Sequence, residues 1–279
     1  MALSIQTNYS SLITQTSLSK TNGQLATSQQ RLGTGLRINS AADDAAGLQI
    51  ATRLNAQTRG MNMAMRNTSD AVSMLQTGEG AFSEATDILQ RMKDLATQSA
   101  NGTNSDKDLD ALKSEFTELG KELTNIVTNT KYAGDSLFGT GGKLAADIKF
   151  QIGSDSAEVM TVSATDTDIA ATVTALGTTV QGLDPKGAAA AAIDGLNSAL
   201  DQVGKTRAAF GAAINRLGHT SNNLANMKDN TDMAKGRIMD ADFASETANM
   251  TKSSMLMQSG ISMLKQAGQM PSMIMGLLG

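Results

Sequence analysis

The stretch LGTGLRINSAADDAAGLQIA, residues 32–51, gathers two glycines, an arginine, an Asn-Ser pair and two adjacent aspartates in a chain that otherwise repeats helical heptads. Its glycines are expected to loosen the end of one helix, because glycine weakens helices. Ser40 and Asp43 match the Ser/Thr-x-x-Asp/Glu pattern of a capping box, and Asp43 and Asp44 suit the positive end of the helix that follows. The stretch therefore predicts a joint between two helical parts rather than an active site.

Apolar residues on both sides of this joint recur at alternating spacings of three and four, as in helices that pack along a coiled-coil seam. One heptad frame extends from Met61 to Ala96, and another extends from Leu196 to Leu224. A single helix over about residues 45–100 would be roughly 80 Å long at about 1.5 Å per residue. Since a 3.5-residue period supercoils long helices, the sequence predicts a mainly α fold, a long antiparallel coiled-coil-like helical rod.

Three polar residues also fall on the frame of the long helix: Glu79, Thr86 and Lys93. Polar residues in a seam often fix the register of a helix pair at some cost in stability. A position at the edge of the contact face would account for them equally well. The sequence leaves both interpretations open.

Both ends of the chain carry one apolar stripe each. These stripes form the candidate assembly core: Leu18, Leu25, Leu32, Phe243, Met250, Met257, Ile261 and Leu264. A single amphipathic helix is marginal alone in water, so the end helices must pair with each other, with neighbouring molecules, or with both. In an isolated monomer we expect them to be disordered.

The composition limits the classes of function. Cysteine is absent, prolines number two, aromatic residues make up 3% of the chain, and the core must rely on aliphatic residues and 17 methionines, which pack adaptably. The net charge of -4 and the lack of a basic stripe argue against a nucleic-acid partner. No apolar run is long enough to predict a membrane-spanning helix. The start MALSIQTNYSS lacks the regions of a classical secretion signal, so export is expected by another route.

The segment from about Tyr132 to Pro185 changes character, because Gly, Thr, Ser and Asp replace the apolar heptads. Apolar and polar residues alternate in DIKFQIG (147–153) and EVMTVSA (158–164), which is a pattern of strands. The intervening SDSA fits the turn of a β-hairpin. We therefore predict a small β-hairpin insert between the earlier and later helices.

Several groups of residues suggest a site of chemistry, and each lacks an essential part. The adjacent aspartates of the joint have no histidine or metal partner for a carboxylate dyad. The acidic run from Asp106 to Asp110 lacks the glycine and glutamate of a calcium loop, and Gly142 does not belong to a complete phosphate-binding loop. The single histidine, His219, lies in an Asn-rich helical turn. We expect no catalytic, metal-binding or cofactor-binding site and no enzymatic activity.

Three stretches closely resemble bacterial flagellin: LGTGLRINSAADDAAGLQIA, SANGTNS and GRIMDADFASETANMTKSSMLMQSGISMLKQAG. The likeness covers both terminal regions of the chain in the order that the family has them. It implies a structural subunit that self-assembles into the extracellular filament of the bacterial flagellum for motility. A hook–filament junction protein, which shares terminal helical pairing, is the alternative.

The resemblance also implies three regions. Residues 1–44 and 238–279 form the terminal helices of the filament core, residues 45–139 and 186–237 form the helical rod domain, and residues 140–185 form its hairpin and loop insert. Large outer domains are missing, as in a short form of the family, and the Met-rich tail suggests a lateral or secondary flagellar system. The inter-domain joint comprises Gly33, Gly35, Arg37, Asn39, Ser40, Asp43 and Asp44, with Asp240 and Asp242 on the returning chain.

The partners that the resemblance implies are proteins, with no nucleic acid and no membrane insertion. They are identical subunits of the homopolymer, a flagellar export chaperone, the filament cap and the hook-junction proteins. The chaperone would hold the C-terminal segment through Met250, Met257, Met263 and the tail MPSMIMGLLG. An innate immune receptor senses many flagellins, and the residues that it would recognise here are Arg91, Leu95 and Glu115.

Overall fold

The computed structural model describes residues 8–139, 141–163 and 169–278, with side chains of the last helix described up to residue 269. Its helices are α1 (Tyr9–Thr34), α2 (Ala45–Ser99), α3 (Asp106–Asn129), α4 (Ile169–Thr174), α5 (Ala189–Met239) and α6 (Phe243–Leu278). Its strands are β1 (Lys131–Tyr132), β2 (Asp135–Ser136), β3 (Ile148–Gln151) and β4 (Val159–Val162), which form two antiparallel pairs. The predicted mainly helical fold with paired terminal helices and a small β-hairpin is confirmed.

The chain folds into two compact units. The first unit comprises residues 1–56 and 230–279, and the second comprises residues 57–229. Helices α2 and α5 each contribute residues to both units. The first unit contains the joint and the terminal helices, and the second contains the hairpins and most of the hydrophobic core.

Aromatic residues concentrate at one place in the core of the second unit. The ring centroid of Phe82 in α2 lies 4.7 Å from that of Phe138 and 5.9 Å from that of Phe210 in α5. All three side chains are fully buried, as are the leucines that continue the seam along both helices. Aromatic pairs of this kind contribute about 0.5–1.5 kcal/mol beyond the area that they bury, so this cluster joins α2 firmly to α5.

Arg207 of α5 contacts two of the polar residues on the α2 frame. Its guanidinium donates to Glu79 Oε1 at 2.8 and 3.1 Å and to Thr86 Oγ1 at 3.5 Å. The side chains of Arg207 and Glu79 are each about a third exposed. Glu79 therefore lies at the edge of the seam, where it is joined to the other helix through Arg207. Lys93 is half-buried.

The β3–β4 hairpin is the predicted one, and its turn packs closely on α2. A Cβ atom on Gly60 would lie 2.7 Å from Ser154 Cβ, and Asn67 Nδ2 donates to Gln151 O at 3.2 Å. Only glycine at position 60 allows this approach, since a larger residue would displace the turn.

Four shorter elements of the described chain were not predicted from the sequence. They are the β1–β2 pair, the 3-10 turn Lys143–Ala145, helix α4 and the π-helical turn Ala175–Thr179 that follows it. Each has too few residues to establish a hydrophobic period. The last residue of the predicted strand segment EVMTVSA, Ala164, lies outside the described residues.

Candidate functional site

The terminal helices α1 and α6 pack against each other along an antiparallel seam. Asn8, the N-cap residue of α1, donates from Nδ2 to Ala267 O at 2.6 Å. Near the other end of α1, Ser28 meets Glu246 in the first turn of α6. Between these points Leu18 lies against Gly260, where an added Cβ atom would be 3.3 Å from Leu18 Cδ1. The pairing therefore extends over nearly the full length of α1.

The seam buries small and polar side chains more completely than large apolar ones. Its most buried residues are Ser28, Glu246, Ser253 and Ala267. Six residues of the candidate assembly core fall on the seam frame and are half-buried: Leu18, Leu25, Leu32, Met250, Met257 and Leu264. The other two, Phe243 and Ile261, are exposed, and the seam of α6 passes through Gly260, against Leu18, rather than through Ile261.

Large apolar side chains of the first unit lie on its surface. The exposed ones are Tyr9, Leu12, Ile13, Ile50, Met233, Phe243, Met255, Leu256, Ile261 and Met263. In the described part of the second unit, the exposed ones are only Met63 and Met227. Phe243, Met255 and Leu256 line an open groove on α6 together with small residues such as Ala248. Exposed apolar surface of this kind marks a site of protein association.

A buried polar cluster connects α1 to α6. Glu246 accepts hydrogen bonds from Arg31 Nη1 through Oε1 and from Ser28 Oγ through Oε2, both at 2.9 Å. The Glu246 side chain is 11% exposed and the Arg31 side chain is 29% exposed. Within the described chain, Arg31 Nε is buried without a hydrogen-bond partner. Because a displaced pairing would leave these charges unsatisfied, the cluster fixes the register of the two helices.

Functional roles for Ser28, Arg31 and Glu246 were not predicted from the sequence. One signal was available, since Glu246 is the only acidic residue in the sequence of either terminal helix. A single charge at a heptad position of an otherwise apolar and uncharged stripe predicts a specific partner across the seam.

The joint consists of two chain segments that hydrogen-bond to each other. Gly35 ends α1 in the left-handed conformation, with φ of 71°, which glycine adopts without strain. Arg37 N donates to Met239 O at 2.6 Å, and Ala241 N donates to Gly35 O at 3.0 Å. The Arg37 guanidinium adds a bond of 2.9 Å from Nη2 to Ile238 O. The outgoing and returning segments are therefore held together by main-chain contacts.

A turn centred on Asp43 follows. Asp43 Oδ2 accepts from the N–H groups of Asn39 and Ser40 at 3.0 and 2.8 Å and from the Ser40 hydroxyl at 3.2 Å. These hydrogen bonds hold the pKa of the Asp43 carboxyl below its usual value, and the bond from the Asn39 N–H has the largest effect. The predicted position of the helix cap was wrong, because Ser40 and Asp43 close a turn that precedes α2. Asp44 caps α2 instead by accepting from Gly47 N at 2.8 Å.

Ile38 packs beneath this turn and is 2% exposed. A Cβ atom on Gly47 would lie 2.7 Å from Ile38 Cδ1 and 2.5 Å from Asp44 Oδ2. The first turn of α2 therefore needs glycine at position 47. Neither residue was predicted from the sequence, although Ile38 is one of two large apolar residues, with Leu36, in an otherwise polar loop.

Asp242 caps α6 on the returning chain. Its Oδ1 accepts from Ala244 N at 3.0 Å and its Oδ2 accepts from the Ser245 hydroxyl at 2.8 Å. The Ser245 hydroxyl is the main cause that holds the pKa of Asp242 below its usual value. Asp240 forms an isolated β-bridge with Leu36. Gly33 lies inside the last turn of α1, with open space where a Cβ atom would be.

The three residues proposed for receptor recognition lie in the second unit and differ in exposure. Arg91 donates from Nε and Nη2 to Glu115 Oε1 at 2.9 and 2.6 Å, and both side chains are about half exposed. Leu95, one turn further along α2, is 1% exposed. The surface therefore presents the Arg91–Glu115 ion pair, and Leu95 supports the helix beneath it.

The described residues contain neither a cluster of metal-ligating side chains nor a helix that could span a membrane. Among them, no group of three or more His, Cys, Asp or Glu side chains is placed to hold a metal ion. No helix in the same residues is long and apolar enough to cross a membrane.

Comparisons with known proteins agree on one family. The model of the bacterial flagellin N-terminal helical region matches residues 5–141, and that of the C-terminal helical region matches residues 193–278. Flagellin A of Vibrio anguillarum is 36% identical over all of both chains. A flagellin of Halalkalibacterium halodurans is 39% identical over 89% of this chain and 90% of its own. The crystal structure of Bacillus cereus flagellin is 37% identical, with a TM-score of 0.50, and covers 57% of this chain and 88% of that chain.

Proposed function

Because the chain belongs to the bacterial flagellin family and is a structural subunit of the flagellar filament, we propose that its terminal helix pair is the part through which identical copies assemble. The observation that carries this proposal is the concentration of exposed large apolar side chains on the first unit. The hook–filament junction alternative has no comparable support, since the relatives named above are flagellins.

The energetics of the pair favour assembly over a stable lone pair. Covering a large apolar side chain completely contributes about 1.5–3 kcal/mol, and the exposed ones are roughly half covered already. Each therefore gains about 1 kcal/mol on assembly, which for the whole surface is of the same order as the 4–15 kcal/mol that association costs. Free subunits stay in solution under this balance until a growing filament end supplies several partners at once.

The joint separates the parts of the chain that have different roles in the filament. Residues 1–44 with 238–279 form the filament core, residues 45–139 with 186–237 form the helical rod domain, and residues 140–185 form its insert. The alignment with Vibrio anguillarum flagellin spans 378 positions, more than the 279 residues of this chain. Its gaps support a short form that lacks outer domains.

Removal of either terminal helix tests the assembly proposal. Chains lacking residues 1–40 or 240–279 are expected to form no filaments in electron micrographs and to retain helical circular dichroism from the second unit. As a matched pair of substitutions, Leu12→Ser should impair assembly and Met63→Ser should not, since both side chains are more than half exposed but lie in different units. Normal polymerisation of either truncated chain would contradict the proposal.

The C-terminal segment is also the expected contact of the export chaperone. Met250 and Met257 are half-buried against α1, whereas Met263 is exposed. A chaperone that takes all three side chains must therefore replace α1 on α6, which keeps the subunit unassembled until it has been exported to the extracellular filament. The residues of the tail after residue 269 lie beyond the described side chains. A binding assay with the family's chaperone should show competition by an α1 peptide, and binding that such a peptide does not reduce would contradict this arrangement.

The filament cap and the hook-junction proteins are expected at the two ends of the filament, where the same apolar surface has no further subunit to cover it. Hook-junction protein should therefore fail to nucleate filaments of a chain in which Leu12 is replaced by Ser. Unchanged nucleation would place those contacts elsewhere.

Recognition by an innate immune receptor is proposed at Arg91, Leu95 and Glu115. The exposed Arg91–Glu115 pair supplies the direct contact. Arg91→Ala should lower receptor activation by monomers without unfolding α2, whereas Lys121→Ala, at the exposed ion pair with Glu118, serves as the control. Equal activation by both variants would remove Arg91 from the recognition surface.

A further inference from the structure

We infer that Asn22 and Gly23 form a deamidation site that reacts in the free subunit and is protected on assembly, so that subunits left unassembled lose their ability to enter the filament. The inference rests on the proposed assembly through the α1–α6 pair, in which α1 is held as a stable helix only by its partners. Water is the only co-reactant.

The reaction is an attack of the main chain on a neighbouring side chain. The Gly23 nitrogen bonds to the side-chain carbonyl carbon Cγ of Asn22, and the carbon–nitrogen bond of the side-chain amide breaks. The departing amide group takes up the Gly23 proton and leaves as ammonia. Water then opens the succinimide ring at either carbonyl, which gives aspartate or isoaspartate. Glycine favours the attack because it has no Cβ atom to hinder the approach of the backbone.

The helix protects this site in the assembled pair. Gly23 is an interior residue of α1, so its N–H donates to the carbonyl of Ser19, and the helical backbone does not allow the succinimide ring to close. Asn22 itself is exposed, so its protection comes from the helix and not from burial of the side chain. When α1 is open in the free subunit, the Gly23 nitrogen is available for attack.

The sequence contains a second Asn–Gly pair in a different setting. Asn101 and Gly102 are exposed in the loop between α2 and α3, and a Cβ atom on Gly102 would meet nothing within 4 Å. Asn101 N donates to Gln98 O and Asn104 N donates to Asn101 O, whereas none of the described bonds of this loop uses the Gly102 N–H. Because this loop belongs to the second unit, Asn101 should react whether or not the terminal pair has formed.

Isoaspartate at position 22 is incompatible with the helix pair, because it lengthens the main chain of α1 by one methylene group. The contacts that fix the seam lie on both sides of it. Asn8 donates to Ala267 O at one end, and Arg31 donates to Glu246 at the other. One continuous helix cannot make both contacts after the insertion. Aspartate leaves the main chain unchanged and adds a charge at an exposed position, so the isoaspartate form alone is excluded.

Peptide mass spectrometry of the full chain at mildly alkaline pH, in free subunits and in filaments, tests the protection. In the free subunit Asn22 should deamidate as fast as in a synthetic peptide of residues 16–28. In the filament it should react at least about tenfold more slowly, because the reaction there requires local opening of the helix. Asn101 should react in both samples. Equal rates at Asn22 in both samples, or a free subunit much slower than the peptide, would overturn the inference.

Sedimentation of aged free subunits, seeded with filament fragments, tests the consequence. Wild type should lose assembly in step with isoaspartate at position 22. Asn22→Gln, whose longer side chain forms a ring far more slowly, should keep its assembly on ageing, and fresh Asn22→Asp should assemble like wild type. The control Asn101→Gln should age as wild type does. Equal loss of assembly by aged Asn22→Gln would overturn the inference.

A second measurement needs no variant. In a partly aged wild-type sample, isoaspartate at position 22 should be enriched in the unassembled fraction, and an even distribution between the fractions would contradict the inference. Failure of the proposed function is a separate result, in which fresh chains lacking a terminal helix still polymerise.

Discussion

Replacing Glu246 by glutamine tests whether the α1–α6 pair is completed only on assembly. The carboxylate accepts from Arg31 and Ser28 at 2.9 Å and is largely buried. Hydrogen bonds to a charged group contribute about 1.5–3 kcal/mol and neutral ones about 0.5–1.5 kcal/mol. Glutamine keeps the shape and one acceptor oxygen, so the expected loss is about 1.4 kcal/mol per subunit, a factor of about ten.

The assay is the critical concentration, measured as the soluble subunit that remains in equilibrium with filaments after sedimentation. If the pair forms on assembly, Glu246→Gln should raise this concentration about tenfold and leave the melting temperature of the monomer unchanged. Glu84→Gln, at an exposed carboxylate of α2 in the second unit, is the matched control and should change neither quantity.

Two results would refute this reasoning. A critical concentration within twofold of wild type would show that the buried carboxylate contributes little to the assembled pair. A lowered monomer melting temperature with an unchanged critical concentration would show that α1 and α6 are already stably paired in the free subunit.

Further predictions concern the joint and the core. Gly47→Ala should destabilise the first unit by about 1–3 kcal/mol, because the added methyl group would clash with Ile38. Gly80→Ala, in open space on the same helix, should instead stabilise the chain by up to about 1 kcal/mol. Equal melting temperatures of the two variants would contradict this difference. The lowered pKa of Asp43 and Asp242 means that their stabilisation is complete above the unfolded pKa of about 3.9 and is lost as pH falls through the folded values. An Asp43→Asn/Asp242→Asn variant should therefore lose part of the pH dependence of unfolding below about pH 4, and an unchanged acid transition would refute it. Phe210→Ala should cost about 3–5 kcal/mol in urea unfolding of the second unit, and a loss below about 1 kcal/mol would exclude the aromatic cluster as its centre.

Local patterns accounted for most of the fold. The heptads around Leu75 and Leu217 predict seam positions that the structure buries completely, because a helical period fixes which side of a helix is apolar. The alternation in DIKFQIG and EVMTVSA predicts the hairpin for the same reason. The glycines and aspartates near position 40 predict the joint, since these residues end and begin helices.

The remainder depends on contacts between distant parts of the chain. Glu246 meets Arg31 and Ser28 across separations of 215 and 218 residues, and no local period carries that information. The exposure of Phe243 was equally beyond the heptad count, since Phe243 lies on the same heptad frame as the half-buried Met250 and Met257.

Amide hydrogen exchange along α1 and α6, compared between free subunits and filaments, tests the central claim most directly. If other copies complete the helix pair, the amides of α1 and α6 should exchange rapidly in the free subunit and be strongly protected in the filament. The amides around Phe82 and Phe210 should show no comparable change. Strong protection of both terminal helices in a dilute, unassociated subunit would contradict the claim.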